Sequence, residues 1–309
     1  MEILDEKVMK NIESTVLQYE MTGRFEKGYK EMSEQAKFYQ RQGHELAEYT
    51  CNWGVGQMAM YSDKLDEATR NFAQVIFYTG ALFDASKPYD YLLQQIETMG
   101  RIGLGRVNYL KGDVRTAARE LNAANELATA LDNVALQMQA VYWLGRNGIK
   151  EKDFKNAKDC FKHVNQLAGV DIDNIGNLDL GVGRVLAWNS MNLAQLEGKI
   201  IGQGYNIEKA VDYFNRIRDI DGAAVTTNKV GDICKNLGDK EKAIEWYDKS
   251  YNSYKSISYK RGMMNCLEAS AELYPKEERY KRYKKALDIA IKLKLDKRVA
   301  GLKQKLAVC

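Results

Sequence analysis

Few side chains in this 309-residue sequence could do covalent or metal chemistry, and their spacing argues against it. There are two histidines, His44 and His163. His44-Glu45 lacks the second histidine that a zinc-binding protease helix places one turn further on. The five cysteines, Cys51, Cys160, Cys234, Cys266 and Cys309, form no C-x-x-C pair. Neither a zinc knuckle nor a dithiol redox site is therefore expected, and scattered thiols suit a reducing compartment. Gly54-Val55-Gly56 followed by Ala59, and Gly181-Val182-Gly183, imitate the glycine loop that cradles a dinucleotide. That loop must follow a strand and open a helix at the phosphate. These glycines instead recur, with Gly103-Leu104-Gly105, inside a helical period, so they read as packing glycines. Asp171 and Asp173, in AGVDIDNIG, read as a loop and helix N-cap rather than as paired working carboxylates. The expectation is a non-catalytic protein with no cofactor and no metal.

The elements that carry these residues are helices. The chain has 2 prolines, Pro88 and Pro275, where average usage would give roughly 15. Proline costs about 3 kcal/mol in a helix interior, so a long chain nearly free of it reads as helix throughout. An internal repeat sharpens this. Gly56, Gly105, Gly145 and Gly231 are each followed twelve residues later by an alanine: Ala68, Ala117, Ala157 and Ala243. Four residues on come Phe72, Leu121, Phe161 and Tyr247, and three more bring Val75, Ala124, Val164 and Ser250. A fifth copy holds Ala210, Phe214 and Ile217. Positions i, i+4 and i+7 share one helical face, so each series is a buried stripe. Gly112-Asp113 and Gly238-Asp239 read as a helix C-cap followed by an N-cap. Each unit is thus helix, tight turn, helix, with the small Gly and Ala letting the two helices approach.

These residues resemble the tetratricopeptide repeat, whose pattern runs W-x2-L-G-x2-Y to A-x3-F. Leu104-Gly105 and Leu144-Gly145 match its Leu-Gly, and Val55-Gly56 and Val230-Gly231 come near it, while Trp143 falls off the pattern's Trp. Successive alanines lie 49, 40, 53 and 33 residues apart against a usual 34, so the resemblance is to the longer-helix members of the superfamily. These include kinesin light chains, spindle-orientation adaptors and peptide-sensing regulators of the Rap type. The resemblance implies one all-α, right-handed α-solenoid over residues 1–309, with about seven antiparallel helix hairpins. Repeats are clear over 45–255, and divergent capping hairpins occupy 1–44 and 256–309. Insertions fall near 78–96, around Pro88, and near 186–206, with a loop at Gly198–Gly204; each is either a binding element or tolerated surface length.

In such arrays the first helix of each hairpin forms a concave wall. The resemblance places on it Trp53, Gln57 and Met60; Ile102, Arg106 and Tyr109; Tyr142 and Arg146; and Asn228 and Lys235, with Arg184 extending the row. Arginine and aromatic side chains are enriched at binding hot spots, and arginine can clamp a carboxylate bidentately. Two readings stand. The row binds a protein or peptide segment carrying acidic groups or a free C-terminus, or its arginines pair with acids of neighbouring repeats. The expected role is a protein-binding adaptor or scaffold; the alternative is a Rap-like, peptide-responsive regulator whose superhelix changes shape.

Net charge is +4, too small to demand nucleic acid. Lys276–Lys305 alone carries twelve basic and four acidic residues, which leaves the rest of the chain at −4. That end is either a solvated outer face or a surface for an anionic partner. The acid-rich start shows no apolar signal region, and no run of 18 apolar residues occurs, so a cytoplasmic protein without a membrane span is expected.

Overall fold

A left-handed residue followed by a helix N-cap is the device that folds this chain back on itself. The computed structural model describes residues 2–82, 90–170, 178–196, 207–293 and 295–309. Within them Gly112 (φ +91°) precedes Asp113, and Gly238 (φ +80°) precedes Asp239, as their sequence predicts. Lys152 (φ +65°), Arg218 (φ +57°) and Asp132 (φ +51°) take the same backbone conformation before Asp153, Asp219 and Asn133. The side chains of Asp113, Asn133, Asp153, Asp219 and Asp239 each accept a hydrogen bond from the backbone N–H three residues on. That satisfies one of the donors a helix start leaves open.

The described residues form fifteen helices and no strand: α1 (Glu2–Thr22), α2 (Phe25–Gln42), α3 (Glu45–Tyr61), α4 (Leu65–Leu82), α5 (Asp90–Lys111), α6 (Val114–Ala130), α7 (Val134–Glu151), α8 (Phe154–Ala168), α9 (Leu180–Leu196), α10 (Ile207–Arg216), α11 (Ile220–Asn236), α12 (Lys240–Ser256), α13 (Lys260–Ala271), α14 (Lys276–Lys292) and α15 (Asp296–Ala307). The architecture is an all-α tandem of helix hairpins. The chain divides into two compact units, one of Met1–Glu20 with Arg24–Leu196, the other of Met21–Gly23 with Glu197–Cys309. In the first, α2 to α9 pack each on the next, and the odd-numbered helices also meet in the order α3, α5, α7, α9. In the second, α10 to α15 pack in sequence, and α11 meets α13.

The repeat stripe is the core of both units. Ala68 and Phe72, Ala117 and Leu121, Ala157 and Phe161, Ala210 and Phe214, and Ala243 and Tyr247 are each at most 1% exposed. The phased glycines have a different partner from the one their spacing suggests. A Cβ on Gly56 would come 2.7 Å from the ring of Phe72, on Gly145 2.6 Å from Phe161, and on Gly231 2.9 Å from Tyr247. Each glycine therefore lies beneath the large residue sixteen positions on, rather than against the alanine at twelve. Pro275 is the N-cap of α14, outside a helix interior. Pro88, the loop at Gly198–Gly204, and Asp171 and Asp173 lie outside the described residues.

Candidate functional site

In the first unit the glycine phase brings Gln57, Arg106, Arg146 and Arg184 onto neighbouring odd-numbered helices, each just after a glycine of the series. Arg106 on α5 donates from one terminal nitrogen to Gln57 Oε1 (2.8 Å) on α3 and from the other to the Tyr61 hydroxyl (3.0 Å). Arg146 on α7 donates to the hydroxyls of Tyr142 (3.1 Å) and Tyr109 (3.2 Å). Both guanidiniums lie over the ring of Trp143, at 5.0 and 5.2 Å from its centroid. Asn192 of α9 donates to the same Tyr142 hydroxyl (3.2 Å). Cation–ring contacts and neutral hydroxyls thus hold two permanent charges in place.

No carboxylate among the described residues forms an ion pair with Arg106 or Arg146. Pairing with acids of the neighbouring repeat does not describe them. Arg106 Nε and Trp53 Nε1 are buried without a hydrogen-bond partner among the described residues. The cluster therefore holds unused donors and uncompensated positive charge. Arg184 differs: it pairs with Glu20 of α1 at 3.1 Å, and both residues are only 8% exposed.

Other members of the expected row are spent in the core. Met60 packs with Ala68, Phe72 and Val107, and Ile102 with Ala124, Ala128 and Leu136. Gln57 and Tyr142 are buried, contributing polar atoms to the arginines rather than open surface. Trp53, Arg106, Tyr109 and Arg146 are half-buried. Two participants escaped the sequence reading, Tyr61 and Trp143. They sit one residue beyond and one residue inside the repeat positions counted from the glycines, and only the contact between α5 and α7 brings the indole to Arg106.

Asn228 and Lys235 belong to the second unit. Asn228 donates to Cys266 Sγ (3.2 Å), and Lys235 reaches Glu272 (3.6 Å) and the Ala269 carbonyl (3.4 Å). They line a polar cleft of about 630 Å³ with Asp232, Glu268, Arg298 and Lys305. The basic C-terminal segment is partly neutralised by acids of α12 and α13. Arg298 and Lys305 both grip Glu268, at 2.5 and 2.9 Å, and Arg282 lies over the Tyr274 ring and pairs with Asp248 at 3.1 Å. His163 is exposed beside Gln166, and His44 is exposed at the start of α3. Among the described residues no group of three or more His, Cys, Asp or Glu side chains could hold a metal, and no helix is long and apolar enough to cross a membrane.

Comparison with known proteins places the repeat. The pattern of the tetratricopeptide repeat family matches residues 228–256. No curated protein matches the sequence. Among solved structures, the chain is similar to a Rap protein complexed with competence and sporulation factor, at 11% identity and a TM-score of 0.61, over 95% of this chain and 80% of that one. It is also similar to a STAND signal-transduction ATPase with a tetratricopeptide-repeat sensor from Pyrococcus horikoshii, at 14% identity and a TM-score of 0.55. That alignment takes in 87% of this chain but 42% of the ATPase, so the chain spans less than half that protein's length.

Proposed function

We propose, from the premise that this chain is a repeat protein of the tetratricopeptide superfamily, that its first unit binds a protein segment carrying an acidic side chain or a free C-terminus. A helical-repeat scaffold of this kind supports a protein-interaction role, and the reading is of a non-catalytic adaptor in the cytoplasm. One observation carries the choice of ligand. Arg106 and Arg146 are held on Tyr61, Tyr109, Tyr142 and Trp143 with no carboxylate partner among the described residues. A half-buried guanidinium gains most from an anion that can replace its lost hydration, and a carboxylate does so through paired hydrogen bonds. Trp143 and Tyr109 supply aromatic area beside the charge, as binding hot spots do.

Calorimetric titration with hexaglutamate tests this. Wild type is expected to bind the peptide, and the Arg106→Ala/Arg146→Ala double variant to bind it at least tenfold more weakly, with helical circular dichroism unchanged. Equal binding by the two proteins overturns the reading. The similarity to the Rap structure favours a second one, a regulator whose first unit changes shape when a peptide binds.

A further inference from the structure

Glu20 supplies, from within the chain, the kind of group that the arginine row lacks. It lies 164 residues from Arg184 in sequence, yet the two side chains meet at 3.1 Å and are almost fully buried. Arg184 follows Gly183 as Arg106 follows Gly105 and Arg146 follows Gly145. The third arginine of the series is thus the one with a carboxylate, and the carboxylate comes from α1.

Elsewhere along α1 the seat is made by other helices of the unit. Met9 packs with Tyr49 of α3, Val75 of α4, and Leu92 and Ile96 of α5. Val16 lies over Gly54 of α3, where a Cβ would come within 2.7 Å of it. Tyr19 lies over Gly28 of α2 and donates to Glu31. One helix therefore ties the beginning of the unit to its last helix. Its apolar side, Met9, Ile12 and Val16, is at most 2% exposed.

The seat is imperfect. Glu13, one turn from Met9, has a buried Oε1 with no hydrogen-bond partner among the described residues. The charges acting on it are Lys10 on its own helix and Asp179 at the start of α9. A buried polar atom left unpaired weakens the docking of the helix that carries it. Segments held with such a deficit open more readily than the core around them.

We propose that α1 is an internal occupant of the binding face of the first unit, and that an acidic partner segment binds by taking Arg184 from Glu20 and releasing α1 from its seat. This rests on the reading that Arg106 and Arg146 receive an acidic segment. Partner and Glu20 compete for one guanidinium, so the affinity of the partner is reduced by the fraction of molecules in which α1 is docked.

The experiment uses the full chain, with hexaglutamate as the probe and hydrogen exchange of the α1 amides as the readout. Saturating peptide is expected to speed exchange across residues 9–20 by about tenfold in wild type, the factor carried by a 1.4 kcal/mol shift in opening. Glu20→Gln keeps a hydrogen-bond acceptor for Arg184 but gives up the charge, and is expected to bind the peptide about tenfold more tightly. The charge swap Glu20→Arg/Arg184→Glu restores the pair, so α1 should be protected as in wild type and the peptide should bind no more tightly than to wild type. Should Glu20→Gln not fold, the swap and the wild-type exchange data decide alone. Wild type binding through Arg106 and Arg146 while α1 stays protected overturns the release of α1 and leaves the binding reading intact. Binding unaffected by loss of Arg106 and Arg146, or no binding by either wild type or Glu20→Gln, overturns the binding reading and this inference with it.

Discussion

Arg106 and Glu13 show opposite answers to the same problem, an ionisable group withdrawn from water. Around the guanidinium of Arg106, Gln57, Tyr61 and Trp143 replace part of the lost hydration. Glu13 finds no such set. Burial pushes its carboxyl up to about 7 from an ordinary 4.5, Lys10 opposing the shift and Asp179 adding to it. Between those two values the folded chain binds more protons than the unfolded one, so the contribution of Glu13 is present at acid pH and is lost as pH rises through about 7. Thermal unfolding at pH 5.5 and pH 8 should show wild type gaining at the lower pH relative to Glu13→Gln, by up to about 2 kcal/mol. A pH response identical in the two proteins would contradict the burial of a partnerless carboxyl. At this scale the sequence was partly readable. The arginines stood out because they follow phased glycines, whereas Glu20 did not, because it lies in the divergent hairpin of residues 1–44, ahead of the glycine series.

The hairpin was legible at the scale of the element wherever its turn used glycine. Gly112-Asp113 and Gly238-Asp239 announced themselves, and the structure has the left-handed residue and the aspartate cap at both. Lys152-Asp153 and Arg218-Asp219 make the same turn with side chains that give no warning of it. A non-glycine residue in that conformation costs roughly 1–2 kcal/mol, partly offset because glycine loses more freedom on folding. Lys152→Gly should therefore raise stability by about 1 kcal/mol in denaturant unfolding, with the slope of the transition unchanged. The packing glycines carry a complementary lesson. Their recurrence pointed to close contact between helices, but the partner is the ring sixteen residues on, as Gly145 beneath Phe161 shows. A helical wheel cannot reveal which residue of the facing helix fills the space.

For the whole molecule, the repeat gave the all-α tandem of hairpins, while the length between repeats hid the division into two compact units after Leu196. Repeat arrays are stabilised mainly between neighbours, and α10 to α15 follow that rule. The first unit departs from it, because Glu20 and Arg184 join its first helix to its last. If a bound peptide opens that junction, a regulator is distinguished from a rigid scaffold by its dimensions. Small-angle scattering with saturating hexaglutamate should then show a changed radius of gyration for wild type and no change for Arg106→Ala/Arg146→Ala. An unchanged radius in both, with the peptide bound to wild type, would favour the scaffold.

Trp143 lies beneath two guanidiniums at 5.0 and 5.2 Å. The excited indole moves electron density across its rings, so its emission wavelength is set by the field of nearby charges. An anion that neutralises Arg106 or Arg146 alters that field at its source. With Trp53, Trp188 and Trp246 replaced by phenylalanine, the protein becomes its own optical gauge of occupancy, reporting through colour what a label would otherwise have to report.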